Sequence, residues 1–426
     1  MLLSILKKKR REIFVFFLLA LLFYRSPYIF LNGRFMAEEG SVFFKFAYLN
    51  NFFYTLFFID FFSGYMNLWA NISAIISNLF PLKFSPLISN YLSLIPKFLI
   101  IFYTIYKKNI FIDNFYYQVI FILIIFISPL SVPEIWMNSI NSQIFFAVIV
   151  FFLIFLKYDK SKYHIIDSLI LAIAGLTGIY SCTFFPIYLL KFIYYKTKQD
   201  FLNFIILSTC AFFQLAVVAY SKFSSALYEG KLHSINSELM INFVYNILIK
   251  SFLGTDLTKY IYYNFLKNIN LIFLSMVIVF LLIAILLLNL NSLKNINLKK
   301  KKHQESKLII ITILYAFIST SFLVLIGGTG DYVGGRYAAL PSFYFLVFFI
   351  FFHKLSKKNF LKYLSLFFLT SSIFFGSISF KNNDYSHYLE CNGCPNWLDE
   401  VKKFNQDNTY LMKIWPYPKK AMQLSN

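Results

Sequence analysis

The sequence predicts an all-α polytopic membrane protein with about eleven transmembrane helices and with interfacial helices in its first external loop. Three observations carry that prediction. Hydrophobic residues make up 59% of the 426-residue chain, with 56 Phe and 31 Tyr, and mean hydropathy is +0.64. A soluble domain has no interior large enough to hide that much apolar side chain. The apolar residues fall in repeated runs of about 18 or more, the length that crosses a bilayer as a helix, and they do not alternate with polar ones as barrel strands do. Lysines cluster in short loops between the runs, so the net charge of +21 speaks for membrane orientation rather than for nucleic acid.

Lys7-Lys8-Lys9-Arg10-Arg11 precedes the first apolar run, 13–30. No small-residue cleavage site follows, so the run reads as an uncleaved helix with a cytoplasmic N-terminus. Residues 32–85 then form the first external loop. Within it, 43–62 and 67–80 read as interfacial helices, because Asn, Ser and charged residues recur at intervals that suit a half-wet helix. Further spans are expected at 86–106, 115–128, 144–156, 165–179, 185–195, 201–220, 271–290, 308–326, 337–352 and 360–380. Inward ends carry lysine, most densely at 294–307, as the positive-inside rule requires. Treating 67–80 as a full span would invert every later loop and move that basic stretch outside.

The organisation is therefore a transmembrane domain, 1–380, and a small external tail, 381–426. Most acidic residues fall on the external side in this topology, although acids play little part in setting it. The polar chemistry is expected on that face. The spans themselves hold almost no charge, which favours surface chemistry over a path through the membrane.

The candidate residues lie in the external segments. Glu38, Glu39 and Gly40 stand just after Arg34 in the first loop, which also holds Tyr65 after Gly64. The 133–143 loop, PEIWMNSINSQ, gathers Glu134, Trp136, Asn138, Asn141 and Gln143. Tyr180 lies at the turn between two spans, and Arg336 opens a span after the glycine-rich GGTGDYVGG. Adjacent carboxylates raise one another's pKa, which makes one of the pair a better base near neutrality, or they hold a divalent cation through oxygen ligands. A solvated loop that happens to carry two acids is the plain alternative. Arg336 at a membrane boundary suits a phosphate, which a guanidinium grips with paired hydrogen bonds, but it also suits simple snorkelling. Arg34 is a second phosphate candidate. Arg25, near the outer end of the first span, needs a partner, which Glu38, Glu39 or Glu134 could supply. Trp136 could stack under a sugar while Asn138 and Asn141 read hydroxyls, or it could belong to an interfacial aromatic belt. Cys391 and Cys394, two residues apart in an external tail, suit a short structural disulfide.

The order of these stretches resembles the GT-C superfamily of integral-membrane glycosyltransferases. More narrowly, Arg25-Ser26-Pro27, AEEG (37–40) with Phe43-Phe44, SGY (63–65), PEIWMNSINSQ, LTGIYS (176–181), GGRYAALP (334–341) and Trp415-Pro416 are similar to a bacterial GT-C-like family. That family commonly has Glu-Asp-Gly where this chain has Glu38-Glu39-Gly40. The resemblance implies a GT-C-like fold and transfer of a sugar from a polyprenyl-phosphate donor to a glycan, lipid or protein acceptor on the periplasmic face. It further implies that Glu39 or Glu38 is the catalytic base; carboxylate chemistry leaves open that one of them instead holds a divalent cation, Mg²⁺ or Mn²⁺, and no cofactor is called for beyond that. Arg336 and Arg34 would bind the donor phosphate, and Glu134, Trp136, Asn138, Asn141, Tyr180 and Tyr65 would bind substrate. The absence of a Walker loop, a GxGxxG turn and an HExxH motif agrees with a lipid-linked donor. The rival readings are an O-antigen ligase or polymerase and a non-enzymatic transporter or flippase of lipid-linked sugars.

Overall fold

The structure, a computed structural model, describes residues 9–107, 109–128, 132–158, 163–224, 239, 242–261, 300–327, 335–356, 358–381, 389 and 393–425. It is mostly helical, at 75%. Among the described residues, five helices are long and apolar enough to cross a membrane: Leu82–Tyr106, Lys198–Phe223, Glu305–Gly327, Arg336–Leu355 and Asn359–Ile378. The architecture is that of a multi-pass helical membrane protein. The expected span at 271–290 lies outside the described residues.

Shorter apolar helices fill the middle of the bundle. Ser142–Leu153 is buried at every position, as befits a helix apolar all round. It packs on Ile95–Tyr106, Ile165–Gly175 and Ile179–Cys182. Two expected spans are broken. The first stops at Arg25 and restarts as Pro27–Asn32, because a proline supplies no backbone N–H to a continuing helix but fits its first turn. The 165–179 run ends as a helix at Gly175, since residues 176–178 leave the helix to pair with the first loop.

That loop is shorter-jointed than the sequence suggests. The 43–62 stretch divides into a π-helical turn Glu39–Phe44, then Lys45–Leu49 and Phe52–Leu56, followed by turns. The second piece ends and the third begins at Asn50 and Asn51, where the Asn51 side chain accepts from the Tyr54 N–H at 3.1 Å. Leu68–Asn78 is capped in the same manner by Asn67, which accepts from the Ala70 N–H at 3.2 Å. Eleven residues rise only about 16 Å, roughly half a hydrocarbon core. The C-terminal tail forms a helix, Trp397–Gln406, and a two-residue antiparallel pair, Met412–Lys413 with Ala421–Met422.

At the end of Ser142–Leu153 away from the 133–141 loop, Lys191 and Asp200 form a buried ion pair of 3.0 Å, each side chain 2% exposed. Lys191 also donates to the Leu153 and Leu156 carbonyls, and Thr197 donates to Asp200 at 2.6 Å. Charge is therefore less sparse in the helices than the sequence reading has it. Lys97, inside the expected 86–106 span, is likewise fully buried and lies over the Phe145 ring at 4.0 Å. Lys191→Met should cost about 3–5 kcal/mol by stranding Asp200 in the interior. Thermal unfolding in detergent checks this, and the double change with Asp200→Leu should recover most of the loss.

Candidate functional site

The acid pair is positioned by the tail. Trp415 N–H donates to the Phe35 carbonyl at 3.2 Å, and Ala37 N–H donates to the Trp415 carbonyl at 2.5 Å. Phe35 and Phe44, their rings 4.6 Å apart, share a small apolar core with Trp397, Val401, Phe404, Ile414 and Met422. Trp397 Nε1 closes it by donating to the Leu82 carbonyl at 2.9 Å. Cys394 is disulfide-bonded. Cys391, its expected partner, lies outside the described residues.

The two carboxylates part company. Glu39 turns inward and is 2% exposed. Its Oε1 accepts from Ser139 Oγ at 2.6 Å, Ser89 Oγ at 2.7 Å and the Ser139 N–H at 3.0 Å. Its Oε2 accepts from the Met36 N–H at 3.2 Å. Glu38 turns the other way, to the wall of a cavity of about 380 Å³. Its Oε1 accepts from Lys420 Nζ at 2.9 Å.

The sequence expectation that each acid raises the other's pKa fails for Glu38. Burial does push its carboxyl up. The Lys420 hydrogen bond, its own backbone N–H and the charges of Lys420 and Arg336 outweigh that, and hold it below its ordinary 4.5. The pair thus stabilises the docked tail at neutral pH, and that contribution is lost as pH falls through the range below 4.5.

Glu38, Tyr65, Asn141, Gln143, Arg336 and Tyr337 form the polar end of the cavity, beside Tyr180. Leu215 and Val218 of Lys198–Phe223, with Phe322, Leu323 and Ile326 of Glu305–Gly327, form its apolar wall. Arg336 pairs with Glu134 at 3.2 Å and donates to Tyr337 Oη at 3.1 Å. Asn141 donates to the Glu134 carbonyl at 3.0 Å, so the 133–143 loop and Arg336 form one unit.

The remaining wall depends on a clasp between residues 66–69 and 176–178. Leu68 N–H donates to the Leu176 carbonyl at 2.9 Å, Gly178 N–H to the Met66 carbonyl at 3.0 Å, and Trp69 N–H to Thr177 Oγ1 at 3.1 Å. Gln214, fully buried, accepts from the Met66 N–H at 3.0 Å and donates to its carbonyl at 2.9 Å. Gly178 has a φ of 80°, and a Cβ there would stand 2.1 Å from Gln143 Oε1. Only glycine admits that approach, and it leaves Gln143 free to donate to Tyr65 Oη at 3.0 Å. Asp60 shapes the preceding turn by accepting from Ser63 Oγ and from the Phe62 N–H.

Several expected site residues lie elsewhere. Trp136 is fully buried and cannot carry a sugar on its face, because Arg25 stands over its ring at 4.4 Å and Lys97 at 5.6 Å. Arg25 also lies over Phe380 at 4.6 Å. Asn138 is buried and donates to Met36 Sδ at 3.1 Å, while accepting from the Ile140 N–H at 2.9 Å. Arg34 is 4% exposed, and its backbone is held by Asn90 through bonds of 2.8 and 3.0 Å. Glu38 and Glu39 do not converge as a two-carboxylate cation site. Among the described residues no group of three His, Cys, Asp or Glu does so either. Lys420 and Gln214 were missed by the sequence reading, and neither carries a local signal. No protein-family model, curated protein or solved structure matches the chain.

Glu39→Gln should turn an amide N–H₂ towards at least one of the four donors that now face a carboxylate. The expected cost is about 2–3 kcal/mol. Thermal unfolding in detergent measures it, and an unchanged midpoint would contradict the structural assignment of Glu39.

Proposed function

We propose that the chain is a GT-C-like integral-membrane glycosyltransferase of the bacterial inner membrane. It moves a sugar from a polyprenyl-phosphate donor to a glycan, lipid or protein acceptor at the periplasmic face. The observation that carries this reading is the two-ended cavity. One carboxylate and one guanidinium face its polar end, and side chains of two candidate membrane spans make its apolar wall. A lipid-linked phosphate needs that combination: charge and hydrogen bonds for the head, apolar surface for the first isoprene units.

In this reading Glu38 is the base. Lys420 keeps it ionised at the expense of basicity, so it takes the proton of an acceptor hydroxyl late, once bonding of that oxygen to the anomeric carbon has made the hydroxyl strongly acidic. The bond from the anomeric carbon to the phosphate oxygen breaks, and polyprenyl phosphate leaves with the electron pair. Arg336 stabilises the charge gathering on that phosphate, held in place by Glu134 and Tyr337. Asn141, Gln143, Tyr65 and Tyr180 supply hydrogen bonds for the sugar. Glu39 acts through the fold by fixing the segment that presents Glu38. No step is assigned to a divalent cation, since both carboxylates are engaged by protein donors.

A transporter of lipid-linked sugars is the second reading, favoured by the fully buried Lys97 within an apolar helix. Proteoliposomes separate the two. With a panel of polyprenyl-phosphate sugars and a native lipid extract as acceptor, wild type should release polyprenyl phosphate. Glu38→Gln and Arg336→Gln should each lose about 100-fold or more while remaining folded at the assay temperature, so that the loss far exceeds any change in the folded fraction. Movement of a labelled donor between leaflets without release would overturn the transferase reading in favour of the transporter.

A further inference from the structure

We infer that Lys420, carried by the C-terminal tail, is a positioning residue of the site, holding the Glu38 carboxylate at the polar end of the cavity so that docking of the tail and readiness of Glu38 are one event. The inference rests on the reading of Glu38 as the base and adds to it a residue some 380 positions away in the chain, brought near by the fold.

Three observations carry it. Lys420 Nζ lies 2.9 Å from Glu38 Oε1, with both side chains less than two-fifths exposed. The pair is therefore neither a solvent-washed contact nor a buried structural staple like Lys191–Asp200. Glu38 is among the residues that line the cavity, and the Lys420 ammonium holds its Oε1. The tail is also held to the same short segment by backbone bonds, Trp415 to Phe35 and Ala37, only one residue before Glu38. Lys420 N–H in turn donates to the Pro416 carbonyl at 3.0 Å, which fixes the turn that carries the side chain back to Glu38.

The charged and titratable groups around Glu38 belong to separate elements. Lys420 comes from the tail, Arg336 from the start of its helix with Glu134 bound to it, and Tyr65 from the wall. Glu39, next in sequence, is turned away into its four hydrogen bonds. Of the two cations, Arg336 already has a carboxylate of its own and Lys420 has Glu38. Removing Lys420 leaves Glu38 near a guanidinium that Glu134 already neutralises, so protonation of Glu38 becomes easier.

The test uses full-length protein in proteoliposomes, as wild type, Lys420→Gln and Lys420→Arg. Carbodiimide labelling of Glu38, read by mass spectrometry across pH, reports its protonation and needs no substrate. In Lys420→Gln the labelling midpoint should move to higher pH, and in Lys420→Arg it should return towards wild type. The acid limb of the transfer rate should move in the same direction, with little change on the alkaline side. Hydrogen exchange of 412–425 reports whether the tail is docked. A labelling midpoint in Lys420→Gln equal to wild type overturns the inference, whether or not the tail remains docked. A transfer rate reduced equally at every pH also overturns it, because that is what a purely structural role gives. A shifted labelling midpoint with no transfer by wild type from any donor leaves the ion pair standing and rejects the transferase reading.

Discussion

The Glu39 carboxylate ties three separated stretches of chain into one body. It accepts from Met36 in its own loop, Ser89 in Ser85–Leu92 and Ser139 in the 133–143 loop. A buried carboxylate is costly unless each oxygen is well supplied with donors, and here four donors converge on it. That convergence fixes the direction in which Glu38, one residue earlier, must point. Ser85–Leu92 and the 137–142 turn meet the first loop at this knot, and Asn90 reinforces it by donating to the carbonyls of both Arg34 and Met137 at 3.0 and 2.9 Å. The acidic pair is thus a division of labour. One member holds the architecture, and the other faces the cavity.

Around that cavity each exposed charge has an opposite in reach. Arg336 is matched by Glu134 and Glu38 by Lys420. Matched charges keep the site soluble in a low-dielectric setting and limit reorganisation when an anion enters. The polar end is assembled from loops that are far apart in sequence, while the apolar wall is made by two long helices. A ligand that uses both ends must itself be amphipathic. The tail closes the arrangement from the far side, sharing an apolar core with Phe35 and Phe44.

Much of this was legible in residue type and order. Apolar run length foretold the long helices, and the motifs at 38–40, 63–65, 133–143 and 176–181 do meet around one space. What remained hidden was geometry that depends on neighbours distant in the chain. Nothing local distinguishes Glu39 from Glu38, because the difference is made by Ser89 and Ser139. Trp136 reads as an interfacial platform until Arg25 and Lys97 are seen over its ring. Lys420 is one lysine among 40 lysines and arginines in the chain until the tail folds back on the first loop. The break at Ser26 was also unforeseen, since hydropathy alone does not register where backbone leaves a helix.

The central claim is that the cavity accepts a lipid-linked phosphate with its head at Arg336 and its chain along two helices. The most direct measurement is photocrosslinking of wild-type protein in proteoliposomes with a polyprenyl phosphate bearing a diazirine on its early isoprene units. Adducts are mapped by mass spectrometry. The account predicts adducts at Leu215, Val218, Phe322, Leu323 and Ile326, suppressed by unlabelled polyprenyl phosphate and weakened by Arg336→Gln. Adducts spread over the outer surface of the bundle, or adducts that unlabelled polyprenyl phosphate does not compete away, would contradict it.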